Sequence, residues 1–215
     1  MSGSLGTLAG MLKHKLGGLV GNTTTNGHDR AGAVVTIDQT PFLLTPSLHT
    51  EYPGATVIAE STSTLAFVGE TATRYHRLYF SPETFLQVVW DGETITECRY
   101  FAEYAGVSPA SETEWDDWLG DEQGLLGWKQ FQIDDTGAIF DRLWAPGSER
   151  IAPISFVEQT SRKIEFTHDA MLYARTIEGT QEYVLVSLIG DARDRSRWIQ
   201  VATGLDLNPA SIGMS

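Results

Sequence analysis

The stretch SETEWDDWLGDEQG, residues 111–124, brings six carboxylates and two tryptophans together. Three kinds of chemistry could use them: a divalent-cation cage, a pair of acids over a sugar platform, or none beyond a wet helix. A calcium loop needs oxygens at alternate positions, a central glycine and a distal glutamate. From Asp116 the order is Asp, Asp, Trp, Leu, Gly, Asp, which fails that pattern. Glycoside hydrolysis needs two carboxyls at a set distance in space, which spacing in sequence cannot supply. The third reading has positive support. Ser111 stands three residues before Glu114, the capping-box spacing, and acids in a first helical turn suit the positive end of the helix dipole. Trp115, Trp118 and Leu119 fall on one face of such a helix, with Glu112, Asp116 and Asp117 largely elsewhere. The spacing predicts a solvated, capped helix over 111–119 with its tryptophans turned inward.

Other chemistry-bearing residues are scattered. The five histidines, at 14, 28, 49, 76 and 168, show neither HxH nor HExxH spacing, so no zinc site and no other metal site is expected. His168 precedes Asp169, a pair that could orient a base, but a turn entering the strand AMLYAR accounts for both. In TRYHRLYF, alternation puts Arg74, His76 and Leu78 on one strand face and Tyr75, Arg77 and Tyr79 on the other. The expectation there is an aromatic and arginine ladder on a solvent face. Cys98, the single cysteine, sits inside a β-type run and reads as a structural thiol. There is no G-x-S-x-G elbow, no G-x-G-x-x-G and no Walker loop. No catalytic residue and no cofactor is expected.

The elements that must position these residues follow from size and period. A chain of 215 residues with 41% hydrophobic content can bury a sizeable core. A formal charge of −13 argues against nucleic-acid binding, which needs a basic stripe. One cysteine excludes an intramolecular disulfide, and no apolar run reaches a membrane span of about 18 residues. The absence of a continuous apolar run after a basic start makes a signal peptide unexpected, so the expected location is cytoplasmic.

From Ala33 onward β-type runs dominate. FLL reads as a short β run, and ATVIAES with TLAFVGE reads as a hairpin. FLQVVW and ETITECRYFAEY flank Asp91-Gly92, a turn pair suited to positive φ. KQFQID and AIFDRLW form a second hairpin around residues 135–137, and AMLYARTI with QEYVLVSLIG a third around Glu178-Gly179-Thr180. Roughly a dozen short strands predict a mainly β fold, antiparallel sheets packed as a sandwich or a rolled, barrel-like body. The body is expected to span residues 29–215, with a possible division into two β halves near 108–127.

The N-terminal segment differs. Leu5, Leu8, Leu12, Leu16 and Leu19 recur at three- and four-residue steps, one side of a helix. Five glycines within residues 6–21 weaken that helix by roughly 1 kcal/mol each, so it is a conditional one. Residues 21–28 read as a flexible linker, closing a tail over 1–28. This tail holds Lys13 and Lys15 and no acid, against 28 acids in the body. A weakly basic amphipathic stretch can lie on a membrane surface or dock in a partner's groove.

The phrases TPFLLTPSL, ATVIAE, TRYHRLYF, FLQVVWDG, RLWAPG, ISFVEQT, MLYAR and EYVLVSLI resemble the YjfK-like bacterial family of unknown function, from about residue 33 to the end. That resemblance implies operons also encoding phage-shock-protein-A-like, ion-channel-like and glutathionylspermidine-synthase-like proteins. It implies an accessory role near the inner membrane or the envelope-stress machinery. The expectation is a non-enzymatic interaction protein, cytoplasmic and peripheral to the inner membrane. Its contacts with a protein partner or the membrane would use Leu5, Leu8, Leu12, Lys13, Lys15, Leu16 and Leu19. The alternative is a β-sandwich ligand-binding module, for carbohydrate or another small molecule, or a hydrolase, with Trp115, Trp118, Trp128 and Trp144 as its platform.

Overall fold

A computed structural model describes residues 31–67, 75–91, 94–121, 124–133 and 137–214. Among these residues thirteen strands and two short α-helices follow in chain order: β1 (Val34–Thr36), α1 (Thr40–Leu44), β2 (Thr56–Ile58), β3 (Ser61–Phe67), β4 (Tyr75–Ser81), β5 (Thr84–Asp91), β6 (Thr94–Val107), α2 (Glu112–Leu119), β7 (Gln130–Gln132), β8 (Ile139–Arg142), β9 (Ile154–Thr160), β10 (Glu165–Ile177), β11 (Thr180–Asp191), β12 (Arg197–Asp206) and β13 (Gly213–Met214). The fold is mainly β, as the strand periodicity predicts, and of the two packings expected it takes the rolled one.

Eight antiparallel strands close a barrel in the order β10-β11-β12-β6-β5-β4-β3-β9. Closure depends on β10. One edge pairs with β11 along its length, from Phe166 opposite Asp191 to Ile177 opposite Thr180. The other edge is shared: Glu165–Ala170 pair with β9, and Tyr173–Ala174 pair with β8. The β7–β8 hairpin thus hangs from the barrel wall, and full closure removes the open edges that eight strands would otherwise present.

The barrel's outer surface is covered on two flanks. A three-stranded sheet, β13-β1-β2, packs Val35, Ile37 and Ala59 against Leu78, Leu86, Val88, Cys98, Tyr100 and Leu205. On the second flank Leu126, Phe131, Phe140 and the half-buried Trp115 and Trp118 cover Met171, Tyr173, Val184, Val186, Ile199 and Val201. Strands covered on both faces read as continuous apolar runs instead of alternating ones. The run YVLVSLI of β11 is buried throughout.

Three expectations change. FLL lies in the helical turn α1, where Pro41 occupies the first turn, a place its missing N–H costs nothing. ATVIAES and TLAFVGE do not pair with each other: β2 joins β1 in the small sheet, while β3 pairs with β4 and β9 in the barrel. The β5–β6 ladder closes on Asp91 opposite Thr94, one residue later than an Asp91-Gly92 turn requires. The β10–β11 hairpin forms as expected but its turn is one residue shorter, since Thr180 pairs with Ile177 and only Glu178 and Gly179, with φ of 50° and 84°, lie between them. Positive φ at both positions suits the right-handed twist of the strands they join.

Helix α2 forms where its cap predicts. Ser111 Oγ accepts from Glu114 N at 3.3 Å, and Glu114 Oε2 accepts from Ala110 N at 2.7 Å, one residue before the usual box partner. The strands before and after α2 close the same barrel. The tail residues Leu5, Leu8, Leu12, Lys13, Lys15, Leu16 and Leu19 lie outside the described residues.

Candidate functional site

Alternation along four barrel strands delivers polar side chains into the lumen between aromatic ones. On β4, Arg77 lies between Tyr75 and Tyr79; on β9, Glu158 follows Phe156; on β10, His168 lies between Phe166 and Ala170; on β3, Ser63 precedes Leu65. Cross-strand register aligns them: Ser63 is opposite Arg77, Arg77 opposite Gln87, and His168 opposite Phe156. The surrounding wall is Leu65, Phe85, Phe101, Phe156, Leu172 and Leu185. An eight-stranded barrel is just wide enough for such side chains to fill.

Glu158 is the hub, 2% exposed. Its Oε1 accepts from Ser63 Oγ at 2.5 Å and Tyr79 OH at 2.6 Å; its Oε2 accepts from Arg77 Nη1 at 2.9 Å. Arg77 also donates from Nε to Gln87 Oε1 at 3.2 Å, and its guanidinium lies 4.5 Å from the centre of the Phe85 ring. His168 stacks on Phe156, 4.4 Å between ring centres. Its Nε2 is 3.0 Å from Glu158 Oε2, off the alignment of a hydrogen bond, and Nδ1 has no hydrogen-bond partner.

The protonation states follow from burial and one fixed charge. Burial opposes ionisation of Glu158, but the Arg77 charge, with His168 and Ser63, outweighs it and holds the carboxyl well below its usual range. Burial lowers the His168 pKa more than Glu158 raises it, so the imidazole is neutral. Burial and the neighbouring carboxylate both raise the Tyr79 phenol. The lumen therefore holds one ion pair, a neutral imidazole and hydroxyls that donate to the carboxylate. A carboxylate this strongly stabilised is a poor proton acceptor, which suits structure better than acid–base work.

The Arg77 face is a correction. Tyr75, Arg77 and Tyr79 line the lumen, not a solvent face, and Arg77 is 2% exposed. His168 is also placed differently: it lies within β10, and Asp169 points away from it to accept from Ser155 Oγ at 2.5 Å. Glu158 escaped the sequence reading although a signal existed. In ISFVEQT, strict alternation puts the glutamate on the face of Phe156, an acid at a core position.

A second buried glutamate works on the outer wall. Glu182 accepts from the backbone N–H of His49 at 2.5 Å and of Thr50 at 3.2 Å, and from Arg175 Nη2 at 2.6 Å. It clips the 45–50 segment to the barrel. Cys98 is buried between barrel and small sheet, and burial, with Asp206 adding to it, pushes its thiol up to about 12; it is no thiolate nucleophile at neutral pH. Trp115, Trp118 and Trp144 pack against the core, while Trp128 is exposed; the four form no shared platform. Glu112, Glu114, Asp116, Asp117 and Asp121 face solvent, and among the described residues no group of three His, Cys, Asp or Glu is placed to hold a metal ion. Among the same residues no helix is long and apolar enough to cross a membrane.

No curated protein and no solved structure matches the chain. The aromatic and aliphatic strand phrases that carry the resemblance to an uncharacterised family are the walls of this barrel and its covering sheet. Residues 29–213 match the family model described as a protein of unknown function, DUF2491, and the chain belongs to that family.

Proposed function

We propose that this chain is a non-enzymatic accessory protein: the barrel is its rigid body, and the N-terminal segment is its contact with a protein partner or a membrane surface. The observation that carries the first half is Glu158. Donors from β3 and β4 meet its two oxygens, so the most perturbed acid is consumed by holding strands together. Cys98, the chain's one thiol, is buried. The second half rests on charge and position. Residues 1–28 carry Lys13 and Lys15 and no acid. The chain enters the described body on the outside of the barrel, where Gly32 N donates to Ala59 O at 2.7 Å beside the small sheet. A place beside the inner membrane or the envelope-stress machinery fits this reading.

The test compares the full chain with one beginning at Gly27, by affinity capture from lysate with solubilised membranes and by co-sedimentation with anionic vesicles. Partners or vesicles held by the full chain and lost on truncation are expected. Equal capture by both chains would move the contact to the barrel. Turnover of an ester, phosphoester or glycoside substrate by the full chain, abolished by Glu158→Gln, would overturn the non-enzymatic reading.

A further inference from the structure

The β11–β12 turn and the first residue of β12 carry Arg193, Arg195 and Arg197 within five residues, in a chain of net charge −13. Arg193 is accounted for, its Nε and Nη2 meeting Asp191 at 3.1 and 2.7 Å. Arg195 and Arg197 are not: among the described residues neither guanidinium has a carboxylate partner. Both line an open cleft of about 340 Å³ with Thr167, Asp169, Gly190 and Ser196. That volume lies in the range of small-molecule sites.

The cleft exists because of a missing side chain. Thr167, Gly190 and Arg197 are cross-strand neighbours on the barrel's outer face. The glycine leaves a notch between a hydroxyl and a guanidinium. A Cβ placed there would lie 2.6 Å from Thr167 Oγ1. Arg197 meets α2 through its guanidinium, 5.3 Å from the centre of the Trp115 ring, a cation–π contact. Arg195 has φ of 59°, left-handed backbone uncommon for a non-glycine residue. Its N–H donates to Asp191 O at 2.9 Å. Asp169 supplies an acceptor on the opposite wall, one of its oxygens already receiving Ser155.

Two arginines share this cleft with Thr167 and two carboxylates, Asp169 and an Asp191 already paired with Arg193, and such a lining sorts a ligand into two parts. Planar N–H forks match phosphoryl oxygens, while a carboxylate accepts from hydroxyls and repels a second anion. We propose that this cleft binds a phosphoryl group carried on a small polyol, Arg195 and Arg197 taking the phosphoryl oxygens and Asp169 with Thr167 the hydroxyls. The same chemistry occurs in a soluble polyol phosphate and in a glycerophospholipid headgroup. The site is independent of the N-terminal segment.

Trp115 is a built-in reporter. Titrating the full chain with glycerol 3-phosphate should change tryptophan emission saturably, and a Trp115→Phe chain should lose that change while calorimetry still reads binding. Inorganic phosphate, lacking hydroxyls, should bind more weakly. Arg195→Gly removes the guanidinium and relieves the left-handed backbone, so the fold is kept; it and Arg197→Gln should each weaken binding about 10-fold or more. Lys129→Gln, away from the cleft, should not. Phosphatidylglycerol vesicles that bind in an Arg195-dependent way identify the lipid source, and binding of glycerol 3-phosphate alone identifies the soluble one. Failure of both probes at millimolar concentration, or equal binding by wild type and both arginine variants, overturns the proposal.

Discussion

Arg77 and Glu158 show how a single buried charge commits its neighbours. The pair is 2.9 Å apart, with side chains 2% and 3% exposed. Removing one partner of such a pair costs about 3–5 kcal/mol, because the other is left charged without water, while replacing both by apolar groups is often neutral. Arg77→Met should therefore lower the unfolding free energy by about 3–5 kcal/mol in urea, and Arg77→Met with Glu158→Leu should recover most of that loss. A single substitution costing no more than a surface change would mean the lumen admits water. His168 adds a pH dependence of known sign. Above the ordinary value of 6.5 folded and unfolded chains both hold it neutral, and its contribution is fully present. Below that, the unfolded chain takes up a proton that the folded chain resists, so stability falls as pH falls. Glu158, held ionised in the fold, adds a separate loss once pH drops through the unfolded value of 4.5. Thermal melts of wild type and His168→Phe across this range should run more nearly parallel above pH 6.5 and separate in slope just below it.

Among the described elements, the β10–β11 hairpin has the longest uninterrupted register, twelve pairs from Phe166 to Ile177, and its turn asks for positive φ at two successive residues. Nothing lies within 4 Å of a Cβ built on Gly179, whose φ is 84°. A β-branched replacement therefore meets no clash and pays only for left-handed backbone. Gly179→Val should cost about 1–2 kcal/mol, read as a lower melting temperature with an unchanged m-value. The cap of α2 is the second test: Ser111→Ala removes the acceptor of Glu114 N and should cost about 1 kcal/mol. Because α2 shields Val186 and Ile199 through its tryptophans, hydrogen exchange should quicken in α2 before the barrel responds.

For the whole molecule, closure is the organising fact. The β6–β12 seam joins the first four barrel strands to the last four, and at Gly204 it leaves no room for a side chain. A Cβ there would lie 2.4 Å from Tyr100 O and 2.5 Å from the Phe101 ring. Neither is the free end of a flexible chain, so Gly204→Ala must displace the ladder itself. Overpacking of this kind costs about 1–3 kcal/mol. The expected sign is amide exchange accelerated along both β6 and β12; a change confined to β12 would show that the seam yields locally.

Strand identity, the capped helix at 112–119 and the exposed acids of that helix were legible in the sequence because each rests on local chemistry. Alternation, turn residues and a serine three positions before a glutamate act within a few residues. The family, too, was legible in its strand phrases. What alternation leaves open is which of two faces is inside. TRYHRLYF offers Tyr75, Arg77 and Tyr79 on one side and His76, Leu78 and Phe80 on the other, and in a barrel with a covering sheet both are at least partly buried. An arginine on one face argues for solvent until Glu158, 81 positions away, is brought beside it. The same holds for β2 and β3, adjacent in sequence yet divided between two sheets, and for the cleft over Gly190, which requires Thr167 and Arg197 on either side. Local residues decide that a segment is extended. Only barrel closure decides which strands meet, and with it which charges are buried together and which arginines remain unpaired.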